Sequence, residues 1–300
     1  MLDRESTFAN PEIVSLLKNR FVPVAIDQAY QRRQKDTEGD FYRKIAAKSP
    51  RGDGSNGGTT QGLYVSAPDG TFLGFSNHRS PDRIKKMLDE SLSRYRPAAA
   101  KSVQPERIDP RWNVKPPQGG LVIRTQAKIL SGYEETDNRW QKIFQSAISR
   151  DNLWINAEEQ KAIASGTIPE LVQRRIARYH LVDNTRGEPP MWRENEIQEI
   201  SMKIESGTLT GSVKLKTKDG RRGYEAAFYG KVESSEGKVT RFDVVAKGLF
   251  WGEGRYTRNA PKGKFPLAVT FRIGDGSDVA DAIPPQGSRG WVRGYMTDQR

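Results

Sequence analysis

Val213-Lys214-Leu215-Lys216-Thr217-Lys218-Asp219-Gly220-Arg221-Arg222-Gly223-Tyr224-Glu225-Ala226-Ala227-Phe228 reads as two strands folded on a tight turn. Val213, Leu215 and Thr217 alternate with three lysines, the period of two that a half-buried strand shows. Asp219-Gly220 is a dipeptide whose backbone freedom suits a two-residue hairpin turn. The same period runs outward in both directions. Ile200, Met202 and Ile204 alternate with polar residues upstream; Ala226, Phe228 and Val232 continue downstream, Glu236-Gly237 turns the chain, and Phe242, Val244 and Ala246 begin a strand that reaches Trp251. Leu267, Val269, Phe271 and Ile273 supply another. The pattern predicts an antiparallel meander of five or more strands, partly closed into a barrel able to hold a ligand.

The lysine face has two readings. Lys214 and Lys216, with Lys218, Arg221 and Arg222 beyond them, form either a solvated strand face or a surface that tracks phosphates. The solvated reading is the commoner fate of a charge run, and no helix-turn-helix, zinc-finger or stacking-platform pattern accompanies this one. Lys214 and Lys216 are retained as weak binding candidates.

Upstream of the sheet the period is helical. Leu121-Val122-Ile123 and Ala127 to Leu130 predict one strand, and Trp140, Ile143, Phe144, Ala147 and Ile148 then follow at helical spacing. Asn156 with Glu159, and Thr167 with Glu170, each have the spacing of a capping box. In the second of these helices Arg174, Arg175 and Arg178 read as a solvated face rather than an anion site. His180 reads as a partner of the helix C-terminal dipole, with no serine, carboxylate or second histidine spaced to make it catalytic. Asp183 to Trp192 is a rigid loop, read as a connector or as the lining of a binding mouth with Arg186 and Trp192 as weak binding candidates.

The first 95 residues form a separate pattern. Asn10-Pro11-Glu12 opens a helix with Ile13, Leu16 and Leu17 inward. Phe21-Val22-Pro23-Val24-Ala25-Ile26, ending at Asp27, reads as a strand buried on both faces, although Pro23 disfavours a fully paired position. A helical stretch over 28–50, a glycine-rich loop from Arg51 to Gly58, the hairpin Gly62 to Phe75 around Pro68-Asp69-Gly70, and a helix from Ser80-Pro81-Asp82 to Tyr95 complete it. The loop at Arg51-Gly52-Asp53-Gly54 lacks the strand and helix that hold phosphate.

Length and composition bound the rest. The chain has 300 residues, 49 Lys+Arg against 37 Asp+Glu and a net charge of +12, with 18 basic against 11 acidic residues in the last hundred. Eleven Phe, ten Tyr and six Trp supply apolar surface for two modest cores, which excludes disorder throughout. No cysteine is present and the histidines are His78 and His180 alone, so thiolate chemistry, disulfides and cysteine-based zinc sites are excluded. Asp275, Asp278 and Asp281 lack the spacing and glycine of an EF-hand. No metal or cofactor is expected. No apolar run is long enough to span a bilayer, and the N-terminus has no signal-peptide pattern.

The order helix, strand, helix, strand, hairpin strand, helix, with Asp3-Arg4-Glu5-Ser6-Thr7-Phe8, Asn10 to Val14, Phe21 to Asp27 and Ala67-Pro68-Asp69-Gly70, resembles the thioredoxin-like superfamily over about a third of the chain. The resemblance implies a first strand and a Cys-x-x-Cys immediately before the segment matching Leu2-Asp3-Arg4-Glu5; this sequence starts just after them. It also implies a cis-proline at a position occupied here by Gln61, where a cis bond would cost about 2.5–4 kcal/mol. Met1 then reads as an internal methionine, and the natural product is expected to begin upstream.

The expected fold class is α+β overall: a thioredoxin-like α/β module over 1–95, N-terminally shortened; a proline-rich linker over 96–120; and a helical plus antiparallel β domain over 121–300, meander or barrel-like. The resemblance implies thiol-disulfide exchange by the parent, with this chain redox-inactive for want of cysteine. The alternative is a non-enzymatic binding or scaffold protein whose β domain takes a small-molecule ligand or a partner protein. No strong nucleic-acid signal is present, though a basic last third would bind an anionic polymer in a salt-dependent way. Localisation is open; an export signal upstream would place the parent in the periplasm or outside the cell.

Overall fold

The computed structural model describes residues 6–97, 113–287 and 291–297. The chain forms two compact units that divide between Val114 and Lys115. Most of the expected linker, and the Asp3-Arg4-Glu5 part of the resemblance, lie outside the described residues.

In the first unit, α1 (Pro11–Arg20) begins where its sequence predicts. The Asn10 side-chain oxygen accepts the N–H groups of Glu12 and Ile13 at 3.0 and 3.1 Å, and Pro11 occupies the first turn. The chain continues through α2 (Gln28–Gln31), α3 (Thr37–Ala46), β1 (Leu63–Ser66), β2 (Phe72–Ser76) and α4 (Pro81–Arg94). β1 and β2 pair antiparallel, across a turn that needs Gly70 at φ +84°. Val65 and Leu73 from the hairpin join Ile13 of α1 and Ile84, Met87 and Leu88 of α4 in one core. Gly74 lets α4 approach: a Cβ there would lie 2.4 Å from Ser91 Oγ.

The strand predicted at Phe21–Ile26 does not form. The segment belongs to no regular element, and Val22, Val24 and Ile26 are 89%, 74% and 43% exposed. An apolar run becomes a strand only beside a partner that satisfies its backbone groups. The sheet in this unit has two strands, and neither offers Phe21–Ile26 a ladder. Pro23 removes a donor as well.

The second unit is built on a curled, seven-stranded antiparallel sheet, half of a barrel. Its strands are β3 (Leu121–Ile129), β4 (Asp151–Ile155), β5 (Ile197–Glu205), β6 (Thr208–Lys216), β7 (Gly223–Ser235), β8 (Lys238–Trp251) and β9 (Lys264–Ile273), in the order β4-β3-β9-β8-β7-β6-β5. Consecutive hairpins join β5 through β9. The return of β9 to β3 closes the order, and β4, which the sequence reading lacked, forms one edge. Glu236 and Gly237 both take positive φ, 51° and 73°, which the tight turn between β7 and β8 demands.

One face of this sheet is covered by the chain itself. α5 (Arg139–Ser146) buries no residue, so its predicted stripe is half exposed. α6 (Ala157–Ala164) packs on β7 and β8, α7 (Glu170–Arg175) on β5, and a π-helical turn (Ile176–His180) on β4 and β5. Ile163, Val172, Ile176 and Leu181 are buried with Phe228, Phe242, Leu267 and Phe271 of the strands. The hollow expected to take a ligand is thus filled from within by the chain's own residues. The box at Asn156 and Glu159 forms in full. That at Thr167 does not: the helix starts two residues later, with Pro169 at the cap and no side-chain bond. α8 (Val292–Thr297) buries Tyr295.

Removing side-chain bulk should therefore matter at Ile13 and not at Val24. Ile13→Ala should lower the stability of the first unit by about 2–5 kcal/mol. Val24→Ser should change it by less than about 0.5 kcal/mol. Urea melts followed by circular dichroism check both, and a large loss at Val24 would show that the segment is packed.

Candidate functional site

Strand register assembles an aromatic and cationic cluster on the outer sheet face that the sequence left scattered. Lys216 of β6 lies opposite Gly223 of β7, Gly223 opposite Trp251 of β8, and Trp251 opposite Lys264 of β9. Side chains alternate across a sheet, so this row lies on the face turned away from α6 and α7. Phe250 and Tyr224 point inward and are buried.

The indole is fixed. A Cβ at Gly223 would fall 2.0 Å from Trp251 Cζ2, so the ring lies flat against the bare backbone of β7. Its Nε1–H donates to the Gly220 carbonyl in the β6–β7 turn at 3.0 Å. Lys264 Nζ stands 4.4 Å from the ring centroid and 3.4 Å from Glu225 Oε2. Gly252 then bends the chain at φ +88°, opening a cleft of about 470 Å³ lined by Arg221, Trp251, Glu253, Pro261, Lys262 and Lys264. Lys262 pairs with Glu134 at 2.8 Å, which raises the ammonium above its usual range. Glu253 accepts the Ala260 N–H at 2.6 Å and lies 3.8 Å from Arg186. Glu253 is the acidic residue of the lining, against the three cations Arg221, Lys262 and Lys264.

Of the sequence candidates, Lys214 and Lys216 are exposed on this face, and neither is ion-paired among the described residues. Lys216 belongs to the cluster; Lys214 occupies the next row, opposite Glu225. Arg186 and Trp192 are buried and line no mouth. Arg186 pairs with buried Asp183 and donates to the Thr257 carbonyl. Trp192 donates to the Leu181 carbonyl at 2.8 Å and packs on Phe250. The Asp183–Trp192 loop is pinned at Asp183, Thr185, Arg186 and Trp192, which are buried and bonded within the chain. Gln61 is exposed just before β1, with its N–H on Thr59 Oγ1 and a trans peptide.

Several other readings change. Arg222 is not part of the basic face. It is buried against Trp192, its guanidinium 3.9 Å from the ring, donates to the Pro190 carbonyl, and is pulled down to about 10 by burial. Asp281 pairs with Arg124 and Arg150 at 2.8 and 2.7 Å. Arg124 also reaches Asp275, and Arg150 reaches Asp278. Those carboxylates serve arginines rather than calcium, and among the described residues no group of three metal-ligating side chains exists.

His180 is enclosed rather than capping. Its Nε2 lies 2.7 Å from the Tyr295 hydroxyl and its Nδ1 2.9 Å from Asp151 Oδ2, the latter contact without an aligned hydrogen bond. A carboxylate is therefore at hand, contrary to the spacing argument. The imidazole has no exposed surface, so it touches no substrate. Burial holds the Tyr295 hydroxyl well above its usual range.

The expected solvated arginine face is split. Arg174 is half-buried and pairs with Glu170 and Glu194, and Arg178 is buried. Arg175 is buried and directs its donors to Glu159 at 2.7 and 2.9 Å and to the carbonyls of Trp154, Tyr295 and Met296. Glu159 fills the place of an anion there. Glu159→Ala should destabilise the second unit by about 3–5 kcal/mol, because it leaves a buried cation uncompensated. Arg175→Met combined with Glu159→Leu should recover part of the loss in the same urea melts; an unaffected single variant would refute the assignment.

No family model matches this chain, and no curated protein or solved structure is similar to it.

Proposed function

We propose that this chain is a non-catalytic binding protein and that the outer face of its second unit holds an anionic partner at the Trp251 end. One observation carries the reading: the row Lys216, Gly223, Trp251 and Lys264 sets one ammonium 4.4 Å from a rigid indole beside an open cleft, with a second two strands away on the same face. The inner face has no room for such a role, since α6, α7 and the π-helical turn occupy it. The buried His180, Arg175 and Arg186 clusters are internally partnered.

Heparin resin tests the proposal with a defined polyanion. The chain should be retained at low salt and released by a modest rise in ionic strength, as counterion-linked binding requires. Lys214→Ala with Lys216→Ala should elute earlier with an unchanged melting temperature. Equal elution of variant and parent would sink the reading.

A second reading concerns the first unit, and the exposed apolar run Phe21–Ile26 beside a two-stranded sheet favours it. We propose a thioredoxin-like module in which a further strand would give that run a partner. Thiol-disulfide exchange would then belong to a longer parent carrying Cys-x-x-Cys ahead of this sequence, because this chain has no cysteine to form a thiolate. A chain extended through the genomic reading frame upstream of Met1 should reduce insulin disulfides. An extension without a cysteine pair, or without turnover, would end this reading.

A further inference from the structure

We infer that the Trp251 cleft takes a nucleoside phosphate, with the base stacked on the indole and the phosphate held among Lys216, Arg221 and Lys264. The inference deepens the anion-binding reading of the outer face and rests on it. The cleft asks for two chemistries at once. A bare inorganic anion would use the cations and leave the indole idle. An uncharged apolar ligand would stack on the ring and leave the cations unmatched. A planar ring joined to a phosphate engages both, since every base presents a π-face to an aromatic side chain and phosphate oxygens accept from ammonium and guanidinium groups.

The geometry supports this pairing. The indole is preorganised by Gly223 beneath it and by the bond from Nε1 to Gly220, so its orientation does not have to be set by the ligand. Neighbouring strands lie roughly 4.8 Å apart. Lys264 is therefore one strand from Trp251, and Lys216 two strands away on the other side. Arg221 stands in the turn above them, 88% exposed, with Asp219 at 3.5 Å. Its carboxylate contact and that of Lys264 are surface ion pairs, which water screens strongly, so both cations are free to turn to a phosphate. Lys264 already lies over the ring; an entering base displaces its ammonium toward the phosphate. The cleft volume of about 470 Å³ falls in the range of small-ligand sites, roughly 300–1,000 Å³, and suits one nucleotide unit.

Two sources share this chemistry, a free mononucleotide and a nucleotide within a single strand. The experiment uses the full chain and titrates AMP, a short oligodeoxyadenylate, inorganic phosphate and N-acetylglucosamine 6-sulfate, following indole emission and heat of binding. AMP, the oligonucleotide or both should quench part of the emission. Trp251→Ala should remove that quench and weaken binding about tenfold to a hundredfold. Because that variant loses a packed ring, Arg221→Gln is measured alongside: it should weaken binding at least about threefold with an unchanged thermal melt. Quenching by AMP identifies the free nucleotide, and quenching by the oligonucleotide alone identifies the single strand; both support the inference. Binding of inorganic phosphate or the sulfated sugar as tight as that of either nucleotide would overturn it. So would silence from both nucleotides while heparin retention still depends on Lys214 and Lys216, a result that leaves the outer-face reading standing. Loss of heparin retention as well would overturn both.

Discussion

A single buried guanidinium determines what the second unit can do. Arg175 uses all five of its N–H donors on Glu159 and on three backbone carbonyls, from β4 and from the C-terminal helix. A buried cation left short of partners is costly, so these segments hold one arrangement or lose the unit. Glu159 is already engaged in capping α6, where its carboxylate accepts the Asn156 N–H at 2.9 Å. The same carboxylate therefore starts a helix and neutralises the charge of the next one. The outcome is a helical layer locked onto the inner face of the sheet, which leaves the outer face and the strand ends as the surfaces available for binding.

What the sequence disclosed follows from the range of each interaction. The Asn10 and Asn156 caps, the Asp219-Gly220 turn and the alternation of Val213 and Leu215 with lysines depend on residues a few positions apart, and all are present. The fate of Phe21–Ile26 depends on a partner strand that its own composition does not specify. Likewise, the meeting of Trp251 with Lys264 requires the register of two hairpins and the bend at Gly252. His180 meets Tyr295 across 115 residues, a separation over which helical periodicity carries no information. The split between half-buried Arg174 and fully buried Arg175 turns on a carboxylate 16 positions upstream of the latter.

In the first unit the same logic explains why a correct hairpin did not bring a correct sheet. Gly70 and Asp69 make the turn locally, with Asp69 Oδ1 accepting the Thr71 N–H at 2.8 Å, and Ile84, Met87 and Leu88 cover one face of the pair. Two strands and two helices suffice for that small core. They do not supply ladder partners for six more apolar residues, whose exposure is unusual for a soluble surface.

The adjacent pair Arg221 and Arg222 shows why net charge alone overstates the binding face. At the end of the β6–β7 turn the alternation sends one side chain outward, 88% exposed, and the other inward, where it stacks on Trp192. Burial costs Arg222 its hydration and lowers its proton affinity, so it contributes to folding and nothing to an outside anion. Arg124, Arg150, Arg175 and Arg186 are likewise committed to carboxylates of the chain. In the last hundred residues, by contrast, Arg222 is buried while Lys214, Lys216, Lys218, Lys231 and Lys247 are exposed, so charge alone does not single out one place on that surface. Register places Lys264 beside the indole and Lys216 two strands away on the same face, and the turn adds Arg221, so a ligand with both a ring and a negative group gains more from this corner than from any uniform lysine face.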